Sequence, residues 1–433
     1  MSDNDSNMEM TSDNFSRELN IEVIKEKSST VKREIFENHI FLYLQQVNIS
    51  FAPIKFLKED FMNNSFLEKN VVSISVIYCD DGVESGSVNF NKSSLHIHLY
   101  QLNETEDYYE EELEHDNENI IAAENWMLPC RQFDDLWDSL VYCDNIKSEL
   151  LNYAYSALLF SDTSICPSVI SWNKIILLHG PPGTGKTSLC RALAQKLSIR
   201  LSHRYNFGHM IEINSHSLFS KWFSESGKLV AKMMKKLFEY VENKDSICFV
   251  IIDEVESLTG VRQAALSGNE PSDAIRVVNS LLTQLDKIKH YPNVFVLTTS
   301  NLTDAIDTAF LDRTDIRIFI GNPTAESAYC ILKSCLIELM TKKIIQPADQ
   351  LISQRALDYM EFADTKISKS SLGLWSLSKK CLGFSGRTLR KLPFLAHAKF
   401  IRKNVCSITE VLVALDKQID YLKLEARFIE NLS

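Results

Sequence analysis

The sequence lacks any uninterrupted apolar run of the roughly 20 residues that a helix needs to span a membrane. It also lacks a secretory signal, because residues 1–16 are polar and acidic where a signal peptide has a basic start and an apolar core. Both absences predict a chain of the cytosol or the nucleus that has no membrane partner. No basic import signal stands out to decide between the two compartments.

Paired cysteines and an excess of basic residues are missing as well. The ten cysteines include no CxxC pair, and a chain of this length does not need disulfides to fold, so we expect reduced thiols, mostly in the core. The net charge is -11, whereas a protein that binds nucleic acid usually presents a basic face. Direct nucleic-acid binding is therefore not expected.

The composition is that of a folded protein with several domains. Hydrophobic residues make up 45% of the 433 residues and charged residues 24%, which excludes a disordered or fibrous chain. The pattern predicts an α/β fold with a parallel sheet and a helical lid, preceded by a small α+β domain. The predicted divisions are a disordered tail over 1–18, the α+β domain over 19–102, an acidic linker over 103–121, the α/β domain over 122–322 and the lid over 323–433.

These divisions depend on changes in residue pattern along the chain. Apolar segments predict strands at 19–24 and 71–78, with a helical pattern at 31–46 between them. Residues 104–118 are dense in Asp and Glu, whose mutual repulsion favours solvated, extended backbone. Farther along, short apolar segments alternate with longer helical patterns, which is typical of a parallel sheet. The predicted strands of that sheet are residues 175–179, 210–214, 247–252, 294–299 and 316–320.

The strongest local pattern is a phosphate-binding loop. Residues 180–187 read GPPGTGKT, after a predicted strand and before a helical pattern. Glycine lets backbone N–H groups approach a phosphate closely, and the helix N-terminus favours an anion. Lys186 supplies a positive charge to the terminal phosphates and Thr187 a hydroxyl to Mg²⁺, so ATP and Mg²⁺ are the predicted cofactors. The predicted nucleotide-binding residues are Gly180, Pro181, Pro182, Gly183, Thr184, Gly185, Lys186, Thr187 and Ser188.

Polar residues end two further predicted strands. Asp253 and Glu254 follow an apolar strand and would lie at its carboxyl end, where parallel sheets place functional groups. Asp253 is the predicted magnesium partner, together with Thr187, and Glu254 the group that polarises the attacking water. Asn301 follows the next strand and would sit beside the γ-phosphate if the two strands are neighbours; the alternative is a turn asparagine. Together these residues predict ATP hydrolysis rather than nucleotide binding alone.

This ordered motif set resembles that of AAA+ ATPases over roughly residues 125–433. The resemblance implies that Arg313, in the AFLDR of 309–313, reaches the γ-phosphate of a neighbouring subunit in a ring, usually a hexamer. It also implies that Arg387, in the GFSGR of 383–387, contacts the nucleotide of its own subunit from the lid. Many relatives carry a second arginine at the position of Ile316; Arg317 stands one residue later, and its role stays open.

A third feature of the resemblance is an aromatic loop. Lys221, Trp222 and Phe223 are similar to the pore loop with which these rings grip a polypeptide. The alternative is a tryptophan buried in a core, because tryptophan is buried on average.

Two longer segments resemble one branch of these ATPases more closely, the pachytene checkpoint protein 2 family of thyroid-receptor-interactor ATPases. They are EPSDAIRVVN at 270–279 and LRKLPFLAH at 389–397. That resemblance implies a homo-hexamer that opens HORMA-domain proteins of the spindle checkpoint and the meiotic chromosome axis. It further implies delivery of the substrate by the N-terminal domain with a HORMA-like adaptor, and a place in the nucleus and cytoplasm on chromosomes and kinetochores.

Three alternatives carry different sequence expectations. A microtubule-severing ATPase shares the lysine-aromatic pore pattern but would be favoured by a basic linker, and here the linker is acidic. A scaffold that binds nucleotide without hydrolysis would be favoured by the loss of Glu254, Asn301 or Arg313, and all three are present. A nucleic-acid translocase would show ATPase activity stimulated by DNA.

Overall fold

The computed structural model describes most of the chain between residues 19 and 430. The described ranges are 19–47, 54–61, 64–78, 95–104, 109–115, 118–142, 145–163, 165–166, 168–214, 234–235, 237–257, 272–302, 306–365 and 367–430. The predicted tail over 1–18 lies outside these ranges. The chain divides into two compact units, one formed by the described residues up to Leu102 with Ile199–His203, the other by Asn103–Ser198 and the residues from Arg204 onward.

The N-terminal unit is a four-stranded sheet covered by a helix. Its strands are β1 (Leu19–Lys25), β2 (Ile54–Leu57), β3 (Val71–Tyr78) and β4 (Leu95–Tyr100), in the order β2-β3-β1-β4. β1 pairs antiparallel with β3 and parallel with β4. The helices are α1 (Arg33–Val47) and α2 (Ser65–Asn70). Phe36, Ile40 and Leu44 recur every four residues along α1, so they lie on one face and are buried in the core of this unit. The predicted α+β fold is confirmed.

The second unit is built around a seven-stranded sheet. Its strands are β5 (Tyr109–His115), β6 (Glu118–Leu128), β7 (Ile175–His179), β8 (Phe207–Asn214), β9 (Ser246–Asp253), β10 (Val294–Ser300) and β11 (Ile316–Phe319). The order is β11-β7-β10-β9-β8-β6-β5. The strands from β11 to β8 run parallel, and β6 and β5 join antiparallel at one end. β9 and β10 are buried almost throughout, as expected for central parallel strands covered on both faces.

Helices pack on this sheet and continue beyond it into the lid. Those that accompany the sheet are α3 (Leu136–Ser139), α4 (Ile146–Asp162), α5 (Lys186–Arg200), α6 (Ser272–Ile288) and α7 (Thr308–Leu311). The lid contains α8 (Ala325–Thr341), α9 (Gln354–Tyr359), α10 (Lys369–Lys380), α11 (Gly386–Ala396) and α12 (Ile408–Glu430). The lid has its own core, which includes Leu332, Leu374, Leu389 and Leu415. The parallel sheet and the helical lid are both confirmed. Over the part of the chain that the structure describes, no helix combines the length and the apolar character needed to cross a membrane.

The acidic segment is a strand hairpin, which corrects the prediction of a solvated linker over 103–121. β5 pairs antiparallel with β6, and β6 pairs in turn with β8 of the main sheet. Repulsion between like charges favours an extended backbone, but a β-strand has an extended backbone too. Only the hydrogen bonds to a neighbouring strand distinguish the two outcomes. β5 is the last strand in the order.

Candidate nucleotide-binding and hydrolysis site

The phosphate-binding loop joins β7 to α5 and depends on glycine at three positions. Gly180, Gly183 and Gly185 have φ of 141°, 79° and 95°, which side chains rarely tolerate. A Cβ atom on Gly180 would lie 2.3 Å from the backbone oxygen of Ile320. The glycines therefore let the loop pass close to Ile320, the residue that follows β11.

Lys186 opens α5 and folds back over the loop. Its ammonium is largely buried, and Nζ donates to the backbone oxygens of Gly180 and Pro181, each at 2.8 Å. Burial lowers the pKa of Lys186, against the opposing charges of Glu256 and Asp253, which raise it. A cation held at the mouth of a loop of this kind can bind phosphate oxygens.

Hydroxyl and carboxylate oxygens meet next to the loop at the end of β9. Thr187 Oγ1 donates to Asp253 Oδ1 at 2.9 Å, and Thr299 Oγ1 donates to the same carboxylate oxygen. The parallel pairing of β9 with β10 brings Asp253 and Thr299 together. Carboxylate and hydroxyl oxygens are the hard ligands that Mg²⁺ prefers, so the two predicted ligands, Thr187 and Asp253, fit a magnesium ion.

Glu254 and Asn301 also meet at this edge of the sheet. Asn301 Nδ2 donates to Glu254 Oε1 at 3.2 Å, and the backbone N–H of Asn301 donates to Glu256 Oε1 at 3.0 Å. Glu254 has φ of 56°, in the left-handed region that residues with side chains seldom adopt. The structure thus brings together Thr187, Asp253, Glu254 and Asn301, as the sequence predicts.

A cavity of about 440 Å³ lies beside the loop, within the second unit. Its size is within the usual range for small-molecule sites. Its lining includes the apolar residues Val141, Ile320 and Ile331, which come from three segments of the chain. Ser188 and Arg387 also line the cavity. The backbone N–H of Arg387 donates to the oxygen of Gly183 at 3.0 Å, so the first turn of α11 touches the loop. A mostly apolar cavity next to a phosphate-binding loop can hold the base and sugar of a nucleotide.

Three participating residues were missed by the sequence analysis. Tyr142 Oη donates to the backbone oxygen of Gly185 at 3.4 Å, and burial raises the pKa of its hydroxyl. Tyr142 stands far before the loop in an unpatterned segment, so nothing local indicates it. Thr299 and Glu256 could have been found, because Thr299 lies two residues before Asn301 and Glu256 two residues after Glu254.

Arg313 occupies a different place from the other predicted residues. Its Nε and Nη2 donate to the two carboxylate oxygens of Asp286 at 3.0 and 2.8 Å, and Nη1 donates to the oxygen of Ala309 at 2.7 Å. None of the contacts described for Arg313 is with the phosphate-binding loop. Arg317 stabilises the turn after α7 with two hydrogen bonds. Its Nε donates to Thr314 Oγ1 at 2.9 Å, and its Nη2 donates to the backbone oxygen of Leu311 at 2.5 Å.

The remaining predicted residues divide into two groups. Pro181 and Thr184 belong to the loop itself, where Thr184 Oγ1 donates to the oxygen of Pro181 at 3.0 Å. The predicted pore-loop residues, Lys221, Trp222 and Phe223, lie outside the described residues.

Comparison with family models matches all three parts of the chain. The model of the ATPase family associated with various cellular activities (AAA) matches residues 176–322. The model of the TRIP13-like AAA+ ATPase lid C-terminal domain matches residues 324–422, and that of the TRIP13 N-terminal domain matches residues 15–105.

Similarity to curated proteins extends over nearly the full length. The pachytene checkpoint protein 2 homolog of Gallus gallus is 50% identical over 404 residues, 93% of each chain. The homolog of Homo sapiens is 50% identical over 416 residues, 95% of each chain. The chain belongs to the pachytene checkpoint protein 2 family. A member of this family is an AAA+ ATPase, so the chain binds and hydrolyses ATP.

Solved structures agree with this family assignment. The structure of C. elegans PCH-2 is 31% identical, has a TM-score of 0.74 and covers 94% of this chain and 99% of its own. A chain of the E. coli MS115-1 HORMA:CdnC:Trip13 complex is 16% identical, with a TM-score of 0.52 over 68% of this chain and 94% of its own. At that identity the second comparison shows a shared fold only.

Proposed function

We propose that this member of the pachytene checkpoint protein 2 family uses ATP hydrolysis to open HORMA-domain proteins. The observation that carries the proposal is the site where the ends of β9 and β10 meet the phosphate-binding loop. Thr187 and Asp253, which fit a magnesium ion, lie there together with the Glu254 carboxylate. The family match over the N-terminal domain and the lid supports the substrate class, because those parts are specific to this branch of the ATPases.

Apart from Arg313, the chemistry of hydrolysis is divided among residues of one subunit. Lys186 binds the terminal phosphates, while Thr187 and Asp253 hold Mg²⁺, which when bound neutralises charge on the phosphate oxygens. Glu254 polarises the attacking water, and Asn301, whose amide donates to Glu254, keeps that carboxylate oriented. Arg387 reaches the nucleotide from the lid, since it lines the cavity beside the loop. ATP binding and hydrolysis thereby change how the lid and the sheet hold the nucleotide.

Arg313 acts in trans in a homo-hexamer. In the structure its guanidinium binds Asp286 with two parallel hydrogen bonds. That fork geometry suits a phosphate as well as a carboxylate. The γ-phosphate of a neighbouring subunit is therefore a competing partner for the same edge of the side chain.

The pore residues Lys221, Trp222 and Phe223 grip a segment of the substrate, and successive hydrolysis steps pull it until the HORMA domain opens. The substrates are proteins of the spindle checkpoint and the meiotic axis, and a HORMA-like adaptor presents them at the N-terminal domain. With these substrates, the protein acts on chromosomes in the nucleus and in the cytoplasm. The pulling requires a closed ring, because a pore exists only in such a ring, and the proposed homo-hexamer supplies one.

The test combines turnover with substrate conversion. The full chain is assayed for ATPase activity alone, with a purified HORMA protein, and with that protein and its adaptor, while the closed-to-open conversion is followed in the same samples. Stimulated turnover together with conversion is expected, and Glu254→Gln should abolish both. Unstimulated turnover and an unchanged HORMA protein would overturn the proposed substrate. Stimulation by DNA or microtubules instead would favour one of the alternatives.

A further inference from the structure

Two adjacent threonines near the end of β10 have buried hydroxyls with different partners. Thr298 and Thr299 are both at most 1% exposed, and successive side chains of a strand point to opposite faces. Thr298 Oγ1 donates to the backbone oxygen of Ile176 in β7 at 2.9 Å. Thr299 instead contacts the end of β9, where the two acids of the hydrolysis site stand.

Thr299 contacts three consecutive residues there. Its Oγ1 donates to Asp253 Oδ1, and the same oxygen accepts the backbone N–H of Glu254 at 3.3 Å. The backbone oxygen of Thr299 accepts the N–H of Val255 at 3.0 Å. A hydroxyl has one proton to donate and lone pairs to accept with, so this one side chain can serve both acids at once.

The backbone between the two acids is the reason why these contacts matter. Glu254 has φ of 56°, and a residue with a side chain persists there only when its surroundings determine the conformation. The N–H groups of Glu254 and Val255 both end on Thr299, one on its hydroxyl and one on its backbone oxygen. The direction in which the Glu254 carboxylate leaves the strand therefore depends on Thr299.

We propose that Thr299 is a positioning residue for ATP hydrolysis: its hydroxyl orients the Asp253 carboxylate and fixes the backbone that aims Glu254. The inference rests on the roles proposed above for these two acids. The hydrogen bonds described for the Thr299 hydroxyl go to Asp253 and Glu254, not to the phosphate-binding loop. Loss of this hydroxyl should therefore slow the chemical step without weakening the hold of the loop and Lys186 on the nucleotide.

The test uses a matched set of variants at adjacent positions. Thr299→Val keeps the shape and removes the hydroxyl, Thr299→Ser keeps the hydroxyl and removes the methyl, and Thr298→Val removes an equally buried hydroxyl that does not touch the acids. Each is assayed for kcat, KM for ATP, ADP affinity and melting temperature. Thr299→Val should lower kcat by about 10- to 100-fold, the typical loss of metal affinity or activity when a group that orients a metal ligand is removed. ADP affinity should stay close to that of the unchanged chain.

The controls decide between positioning and stability. Thr299→Ser should restore most of the turnover, and Thr298→Val should keep kcat even if it melts at a lower temperature. Unchanged kcat in Thr299→Val overturns the inference, as does an equal loss in Thr298→Val or a failure of Thr299→Ser to restore turnover. If Thr299→Val does not fold, Thr299→Ala replaces it with the same expected outcomes.

The Glu254→Gln variant distinguishes a failure of this inference from a failure of the proposed role of Glu254. Normal turnover in Glu254→Gln would remove the proposed role of Glu254, and the inference with it. Lost turnover in Glu254→Gln beside normal turnover in Thr299→Val would leave the site standing and overturn the positioning role alone.

Discussion

The pairing of Arg313 with Asp286 offers a test of the proposed action of Arg313 on a neighbouring subunit. Two hydrogen bonds join the pair, but the side chains of Arg313 and Asp286 are 28% and 41% exposed. If Arg313 serves the nucleotide of a neighbouring subunit, it must exchange Asp286 for a phosphate. Asp286→Ala removes the competing carboxylate and should raise, not lower, ATP turnover.

The size of the effect follows from the exposure of the pair. Exposed ion pairs contribute about 0.2–1 kcal/mol because water and salt screen them, and a bidentate pair lies toward the upper end. About 1 kcal/mol corresponds to roughly a fivefold change in an equilibrium. Because Nη1 keeps its bond to Ala309, the arginine stays near its place. We therefore expect turnover to rise by about two- to fivefold where release of the arginine limits hydrolysis.

The assay is steady-state ATP hydrolysis by the proposed homo-hexamer, with and without substrate. Asp286→Ala is compared with Asp286→Glu, which keeps the charge, and with the double variant Asp286→Ala, Arg313→Ala. The double variant should be as inactive as Arg313→Ala alone, because the gain depends on the arginine. High salt should reduce the difference in ATP turnover between Asp286→Ala and the unchanged chain, since salt screens exposed ion pairs. A fall in turnover on Asp286→Ala would refute the reasoning and make Asp286 a group that orients the arginine.

Four further substitutions test the remaining roles. Glu254→Gln should keep ATP and Mg²⁺ binding and lose turnover, whereas Lys186→Ala should weaken nucleotide affinity itself; equal affinities, measured by titration, would contradict this division. Gly180→Ala should abolish nucleotide binding, because its Cβ would lie 2.3 Å from the oxygen of Ile320, and a binding-competent variant would show that the loop can move aside. Trp222→Ala should keep basal turnover and the melting temperature but lose HORMA conversion, whereas truncating a core tryptophan would cost about 3–5 kcal/mol and lower every activity together.

The phosphate-binding loop and the acids at the end of β9 could be predicted from the sequence. Their residues are contiguous, so spacing alone reports the strand, the glycine turn and the helix that follows. The prediction that Asn301 sits beside the γ-phosphate carried one further condition, that the two strands be neighbours. β9 and β10 do pair, and Asn301 Nδ2 reaches Glu254 Oε1.

Other features depended on tertiary structure. Tyr142 reaches the loop from a segment without a motif, and Thr299 serves the acids of another strand, because strand order and packing bring together residues that are distant in the chain. The charge pattern of residues 104–118 could not distinguish a linker from a hairpin, since both have an extended backbone and only pairing with β8 through β6 separates them. Local pattern determines which groups a segment carries. The partner of each group is set by contacts between strands and helices that no local pattern records.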